Sequence, residues 1–270
     1  MDVRPIGMFD SGLGGLTALR ELTRLLPGEK IVYFGDTGRV PYGSKGKDTI
    51  VKYAQQVVRF LKSFDVKAIV IACGTVSSVA FDEVEALSQA PVVGVVKPAA
   101  AAAAKATHSG HIGVLGTSAT IRSGSYEKAI RQLLPEAQVS SRACPLFVPL
   151  VENGHFARDD QMARLAAHEY LDDFAGGADT VILGCTHYPI LSGVIGDVLG
   201  EGVTLVDAGA ETARETVRVL TANDLLADPT QEGKCSFYVS DYSEDFTKLA
   251  GILLNHSLTG YVEKTDIEKY

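Results

Sequence analysis

Two stretches of this chain place reactive side chains directly after a run of β-branched and apolar residues. One is Ala68-Ile69-Val70-Ile71-Ala72-Cys73-Gly74-Thr75; the other is Thr180-Val181-Ile182-Leu183-Gly184-Cys185-Thr186-His187-Tyr188-Pro189. Each apolar run reads as a buried strand that stops where the thiol arrives. A strand end of this kind delivers a thiol and a hydroxyl to one spot, and in the second stretch an imidazole as well. A thiol beside an imidazole or a helix N-terminus ionises readily. A single cysteine at such a place is commonly just a small hydrophobe. Two of them, in equivalent places in two half-chains, argue for chemistry. Cys144 and Cys235 have no such company and read as core residues.

His187 lies two residues after Cys185, so on an extended backbone the two side chains point to the same side. It can tune the thiol or exchange protons with it. Cys73, Cys185 and His187 could also form a Cys2His zinc site, but no Cys-x-x-Cys pair supports this, and no metal is expected.

Asp10-Ser11-Gly12-Leu13-Gly14-Gly15 is a glycine-rich turn between a strand and a helix. It fails the dinucleotide spacing because Thr17 stands where the third glycine belongs. Its amides at a helix N-terminus would still suit a carboxylate. Gly43-Ser44-Lys45-Gly46-Lys47 fails the P-loop pattern, since Pro41 occupies the first glycine position and Asp48 the hydroxyl position. Asp36 and the Pro41-Tyr42-Gly43 turn follow a strand end, Thr117 and Thr120 follow another, and Glu152 is expected in a loop after an apolar strand ending at Val151. Taken one at a time these have plain readings: a turn, a helix cap for the threonines, a solvated carboxylate.

The elements that must position these groups alternate. Strands are expected at 6–9, 30–34, 68–72 and 91–96, with helices at 16–26, 48–64 and from the Cys73 strand to about 88. From Lys97 the series restarts, with an alanine-rich helix at 99–104 and a strand at 112–115 that echoes 6–9. Cys185 echoes Cys73, and the strand at 203–206 echoes 92–95, all at offsets of about 110 residues. The pattern predicts an α/β fold of mainly parallel sheet with a weak internal duplication, in which strand C-terminal ends collect ligands. A long helix to about Leu220, a strand at 235–240, a helix at Glu244–Leu254 and a last strand or tail at Tyr261–Lys264 do not repeat the middle section. The first domain is therefore expected to comprise 1–96 plus 208–270 and the second 97–207.

The chain of 270 residues has 46% hydrophobic residues, 27 glycines and a net charge of -8. That charge argues against nucleic acid as a partner. Neither a signal peptide nor a membrane-spanning run is evident, and four cysteines are too few for a disulfide framework, so a reducing cytoplasm is expected.

Together, Phe9 to Gly15, Gly35-Asp36 with Val40-Pro41-Tyr42-Gly43, Pro149-Leu150-Val151-Glu152 and Gly184 to Pro189 resemble the glutamate racemases of the aspartate/glutamate racemase superfamily, over Ile6 to about Leu220. The resemblance implies two α/β domains about a pseudo-dyad with glutamate between them, no cofactor, a homodimer, and a role in supplying D-glutamate for peptidoglycan. It implies that Cys73 deprotonates D-glutamate with help from Asp10, and that Cys185 deprotonates L-glutamate with help from His187; Glu152 joins the catalytic set. Asp10, Ser11, Asp36, Pro41, Tyr42, Gly43, Gly74, Thr75, Thr117, Thr120, Thr186 and His187 would contact substrate. One departure stands out: the family motif at the first thiol reads Cys-Asn-Thr, and here it is Cys73-Gly74-Thr75. On the sequence alone, restoring asparagine is expected to lower KM or raise turnover. The rival readings are a racemase for aspartate or a hydantoin, a two-lobed amino-acid-binding protein and a zinc hydrolase.

Overall fold

In the computed structural model, which describes residues 1–174, 176–242, 250–251, 254 and 262–270, two parallel sheets carry the chain. The first half runs β1 (Ile6–Asp10), α1 (Leu16–Leu25), β2 (Lys30–Gly35), α2 (Lys47–Lys62), β3 (Ala68–Ile71), α3 (Gly74–Val79), α4 (Phe81–Leu87) and β4 (Val92–Gly94). The second runs α5 (Val96–Ala106), β5 (His111–Gly116), α6 (Ser118–Ser123), α7 (Ser125–Leu133), β6 (Gln138–Ala143), α8 (Phe147–Glu152), α9 (Gln161–Leu171), β7 (Thr180–Leu183), α10 (Ser192–Leu199) and β8 (Thr204–Asp207). Then come α11 (Ala208–Ala222), β9 (Lys234–Val239) and β10 (Val262–Lys264). The helix expected at Glu244–Leu254 falls mostly outside the described residues, as does Tyr261. The helix expected after Cys73 is two, α3 and α4, divided at Ala80, whose backbone leaves the helical range.

The strand orders are β10-β9-β2-β1-β3-β4 and β6-β5-β7-β8. The last four strands of the first sheet and the whole second sheet share one plan, in which β3 corresponds to β7 and the thiols follow equivalent strands. The echoes between Ile6 and Ile112, Cys73 and Cys185, and Val92 and Val203 all fall on corresponding strands or strand ends. After β8 the chain returns to the first sheet, where β9 pairs with β2 and β10 with β9.

Strand alternation explains why both faces of each sheet are covered. Met8, Tyr33 and Val70 pack beneath α1 and α11 with Leu16, Leu19 and Leu22, whereas Phe9, Phe34 and Ile71 pack against α2 with Val57 and Leu61. In the second sheet, Val114 and Ile182 join Ala99, Ala100 and Ile130, while Leu115 and Leu183 join Phe147 and Leu171. Apolar residues on both sides of a strand are what a helix-covered parallel sheet demands. The central strands are thereby held rigidly, and their C-terminal ends are what remains to line a cavity.

Candidate active site

A cavity of about 310 Å³ lies between the two sheets' C-terminal ends. Ser11 and Gly12, the Val40–Ser44 turn and Cys73-Gly74-Thr75 line it from the first sheet. Thr117, Ser118, Pro145, Val148, Pro149, Glu152 and Cys185-Thr186-His187 line it from the second. Both thiols are therefore in one enclosure, on opposing lobes, and its size is at the small end for ligand cavities.

Cys73 sits two residues beyond β3 as the residue preceding the first turn of α3. Its thiol donates a hydrogen bond to Ser11 Oγ at 3.4 Å. Burial pushes the Cys73 thiol up to about 12, and the Asp10 carboxylate adds to that rise. Asp10 ends β1 and stands behind the lining: its Oδ2 accepts from the Gly12 amide at 3.0 Å, and its Oδ1 is buried with no hydrogen-bond partner. The glycine-rich turn thus gives one amide to its own aspartate.

Cys185 differs in its company. Its sulfur is 3.9 Å from His187 Nδ1, and His187 Nε2 is 3.2 Å from Glu152 Oε1. Burial opposes an imidazolium, yet the contacts with Cys185 and Glu152 outweigh it and carry the His187 pKa up to about 10. The geometry that joins these groups is not the extended one expected. β7 stops at Leu183, and Cys185 to Tyr188 form a turn closed by the Tyr188 amide donating to the Cys185 carbonyl at 3.0 Å. Gly184 permits it: its amide is held by the Leu115 carbonyl at 2.8 Å, and an added Cβ would meet that same oxygen at 2.8 Å.

Glu152 is not in a loop. It is the last residue of α8, where Phe147 and Val151 are buried one turn apart and Pro149 falls within the first turn, which tolerates proline. The apolar run that resembled a strand is the inner face of this short helix, and its C-terminal end aims Glu152 at His187.

Asp36 and Thr120 are also outside the lining. The buried Asp36 carboxylate accepts from the Tyr42 hydroxyl and pairs with Arg39, so it anchors the Tyr42 turn. Thr117 caps α6, its hydroxyl accepting from the Thr120 amide at 3.3 Å, and it shares a 2.9 Å hydrogen bond with the hydroxyl of Thr75 across the lobes. The cap reading and the cavity reading of Thr117 hold together. Val148 and Pro145 were missed in the sequence; their only signal was proximity to Glu152. Tyr126 was missed too, and its fully buried hydroxyl has no hydrogen-bond partner. Among the described residues there is no group of three or more His, Cys, Asp or Glu side chains that could hold a metal ion.

Residues 11–216 match the Asp/Glu/Hydantoin racemase family. The chain is 45% identical to the glutamate racemase of Geobacter metallireducens over 99% of its own length and 98% of that protein. The chain belongs to the glutamate racemase family. Among solved structures, glutamate racemase from Francisella tularensis in complex with D-glutamate superposes over 100% of both chains with a TM-score of 0.93 at 37% identity. That from Thermus thermophilus in complex with beta-chloro-D-alanine superposes over 100% of both chains with a TM-score of 0.89 at 42% identity. The two α/β lobes are thus shared with glutamate racemases of known structure. Among the described residues no helix is long and apolar enough to cross a membrane.

Proposed function

We propose that this chain interconverts L- and D-glutamate by a two-base mechanism in the cavity between its lobes, without a cofactor. The observation that carries the reading is that two thiols from corresponding strand ends face one enclosure, each with a different acid–base neighbour. In the L-to-D direction the Cys185 thiolate takes the Cα proton, forming an S–H bond as the C–H bond breaks. The Cys73 thiol then gives its proton to the opposite face of the carbanion, leaving a thiolate at Cys73. The D-to-L direction is the reverse, and between turnovers a proton returns from one sulfur to the other. His187, charged at neutral pH, faces Cys185 and is oriented by Glu152.

The carbanion is the costly species, and preorganised donors in a site closed to water lower it. Ser11, Thr75, Thr117 and Thr186, with backbone at Gly43 and Gly74, are the groups we assign to the α-carboxylate and ammonium. Pro41 and Tyr42 shape the wall, Asp10 supports Cys73, and Asp36 and Thr120 act by holding Tyr42 and Thr117. We assign 1–96 plus 208–270 to one domain and 97–207 to the other, a partition supported by the return of β9 and β10 to the first sheet. The reading extends to a cytoplasmic homodimer that supplies D-glutamate for peptidoglycan.

The test is loss of optical rotation with L-glutamate and L-aspartate side by side, with deuterium uptake at Cα followed in deuterated water. Racemisation of glutamate with label in the product supports the reading. Preference for aspartate moves the substrate, and binding of glutamate without exchange makes the chain a binding protein.

A further inference from the structure

The one departure from the family motif, Gly74, sits where an added side chain would run into the backbone of the opposing thiol turn. A Cβ built on Gly74 would overlap the Gly184 carbonyl oxygen and lie 3.2 Å from Gly184 C and 3.5 Å from Cys185 Cα. All three are backbone atoms, so no rotamer change relieves the contact. Gly184 cannot retreat either, because its amide is fixed to Leu115 and its α-carbon faces the Leu115 oxygen and the Tyr126 ring. The two other glycines in the seam are different. A Cβ on Gly14 would meet side chains of Thr186 and His187, and one on Gly43 the side chain of Thr117.

Gly74 and Gly184 each adjoin a thiol, Cys73 and Cys185. Their contact is therefore a stop that sets how near the two thiol-bearing turns come. We propose that Gly74 is a positioning residue: it lets the Cys73 turn close onto the Gly184 carbonyl and so sets the separation of the two sulfurs across the substrate. Any L-side chain at this place parts the turns by on the order of 1 Å, and a misplacement of that order at reacting groups costs about a hundredfold in rate. This reverses the expectation from the sequence, that restoring the family asparagine would improve the enzyme. Here asparagine holds the cavity open.

The inference rests on the racemase reading, and wild-type turnover measured alongside separates failure of that reading from failure of this one. Gly74→Ala and Gly74→Asn are compared with wild type in kcat, KM, the Cα-deuterium isotope effect and thermal melting. The overlap is between lobes, so each lobe keeps its fold. We expect kcat to fall about ten- to a hundredfold in both variants, KM to change less, and the isotope effect on kcat to rise as proton transfer becomes limiting. A crystal structure of Gly74→Ala is expected to show a longer distance from residue 74 Cα to the Gly184 oxygen. Unchanged kcat and isotope effect, or improved turnover in Gly74→Asn, overturns the proposal. Failure of both variants to fold also overturns it, because the glycine would then serve the fold and not the closure.

Discussion

The Cys73 and Cys185 half-sites stand on the same strand plan and have different neighbours. Cys73 has a hydroxyl, a helix start and a nearby carboxylate, and its thiol is pushed up to about 12. Cys185 has an imidazole that keeps its proton up to about 10 and a second carboxylate behind it. Corresponding strand ends bring each sulfur to the cavity, but the charged groups beside it come from different places: the end of β1 for Cys73, and for Cys185 its own turn backed by the end of α8. Duplication supplies position, and local sequence supplies acid–base character. The arrangement places a protonated Cys73 across the cavity from a sulfur that faces the His187 imidazolium.

Racemisation has an equilibrium constant of unity, so kcat/KM must be equal in the two directions for wild type and every variant. The inequality of the half-sites therefore shows in kcat and KM separately, and in isotope exchange.

The largest expected effect is on the sulfurs. Cys73→Ser and Cys185→Ser each lose about a thousandfold or more in racemisation while melting near the wild-type temperature, since loss of a general acid or base costs up to about 10⁴. Near-wild-type turnover in either would end the two-base account.

His187→Asn should lower kcat about a hundredfold. Its pKa in the fold, about 10, is above the ordinary 6.5, so its stabilising contribution is complete below about 6.5 and is lost as pH rises through 10. That part of the pH dependence of melting should vanish in the variant. An unaltered stability curve between pH 7 and 10 would contradict the charged imidazole.

Glu152→Gln removes one of the contacts that raise His187, so the fall on the alkaline side should begin at lower pH, with kcat down about tenfold. A limb that stays in place would show that Glu152 does not act through His187. The mildest variant is Tyr42→Phe, which removes the hydroxyl's hydrogen bond to Asp36 and loosens a wall; KM is expected to rise severalfold with kcat nearly intact. An unchanged KM would remove the Asp36–Tyr42 anchor from the account.

Much of this was legible in the sequence because its signals were local. Ile6 to Phe9, Ala68 to Ile71 and Thr180 to Leu183 read as buried strands because both faces are apolar, and the strand ends put Cys73 and Cys185 together. What failed was what depends on distant packing. Leu150-Val151-Glu152 read as strand and loop because two apolar residues before a carboxylate cannot distinguish a short helix from a strand. Cys185 and His187 meet through a turn and not an extended backbone, because Gly184 is pinned by Leu115 on a neighbouring strand. The reading of Gly74 as a lost side-chain contact is incomplete and not contradicted: the position of Gly184, 110 residues away in sequence, adds that a Cβ there would meet its backbone.

The most direct test of unequal, opposed bases uses single-thiol variants, which can remove and return a proton on one face only. Cys73→Ala and Cys185→Ala are incubated with L- and D-glutamate separately in deuterated water, and deuterium at Cα is measured in recovered substrate. The account predicts that Cys73→Ala, which keeps Cys185, labels L-glutamate and not D-glutamate, and that Cys185→Ala labels D-glutamate and not L-glutamate. Exchange of the same enantiomer by both variants, or of both enantiomers by either one, would contradict it.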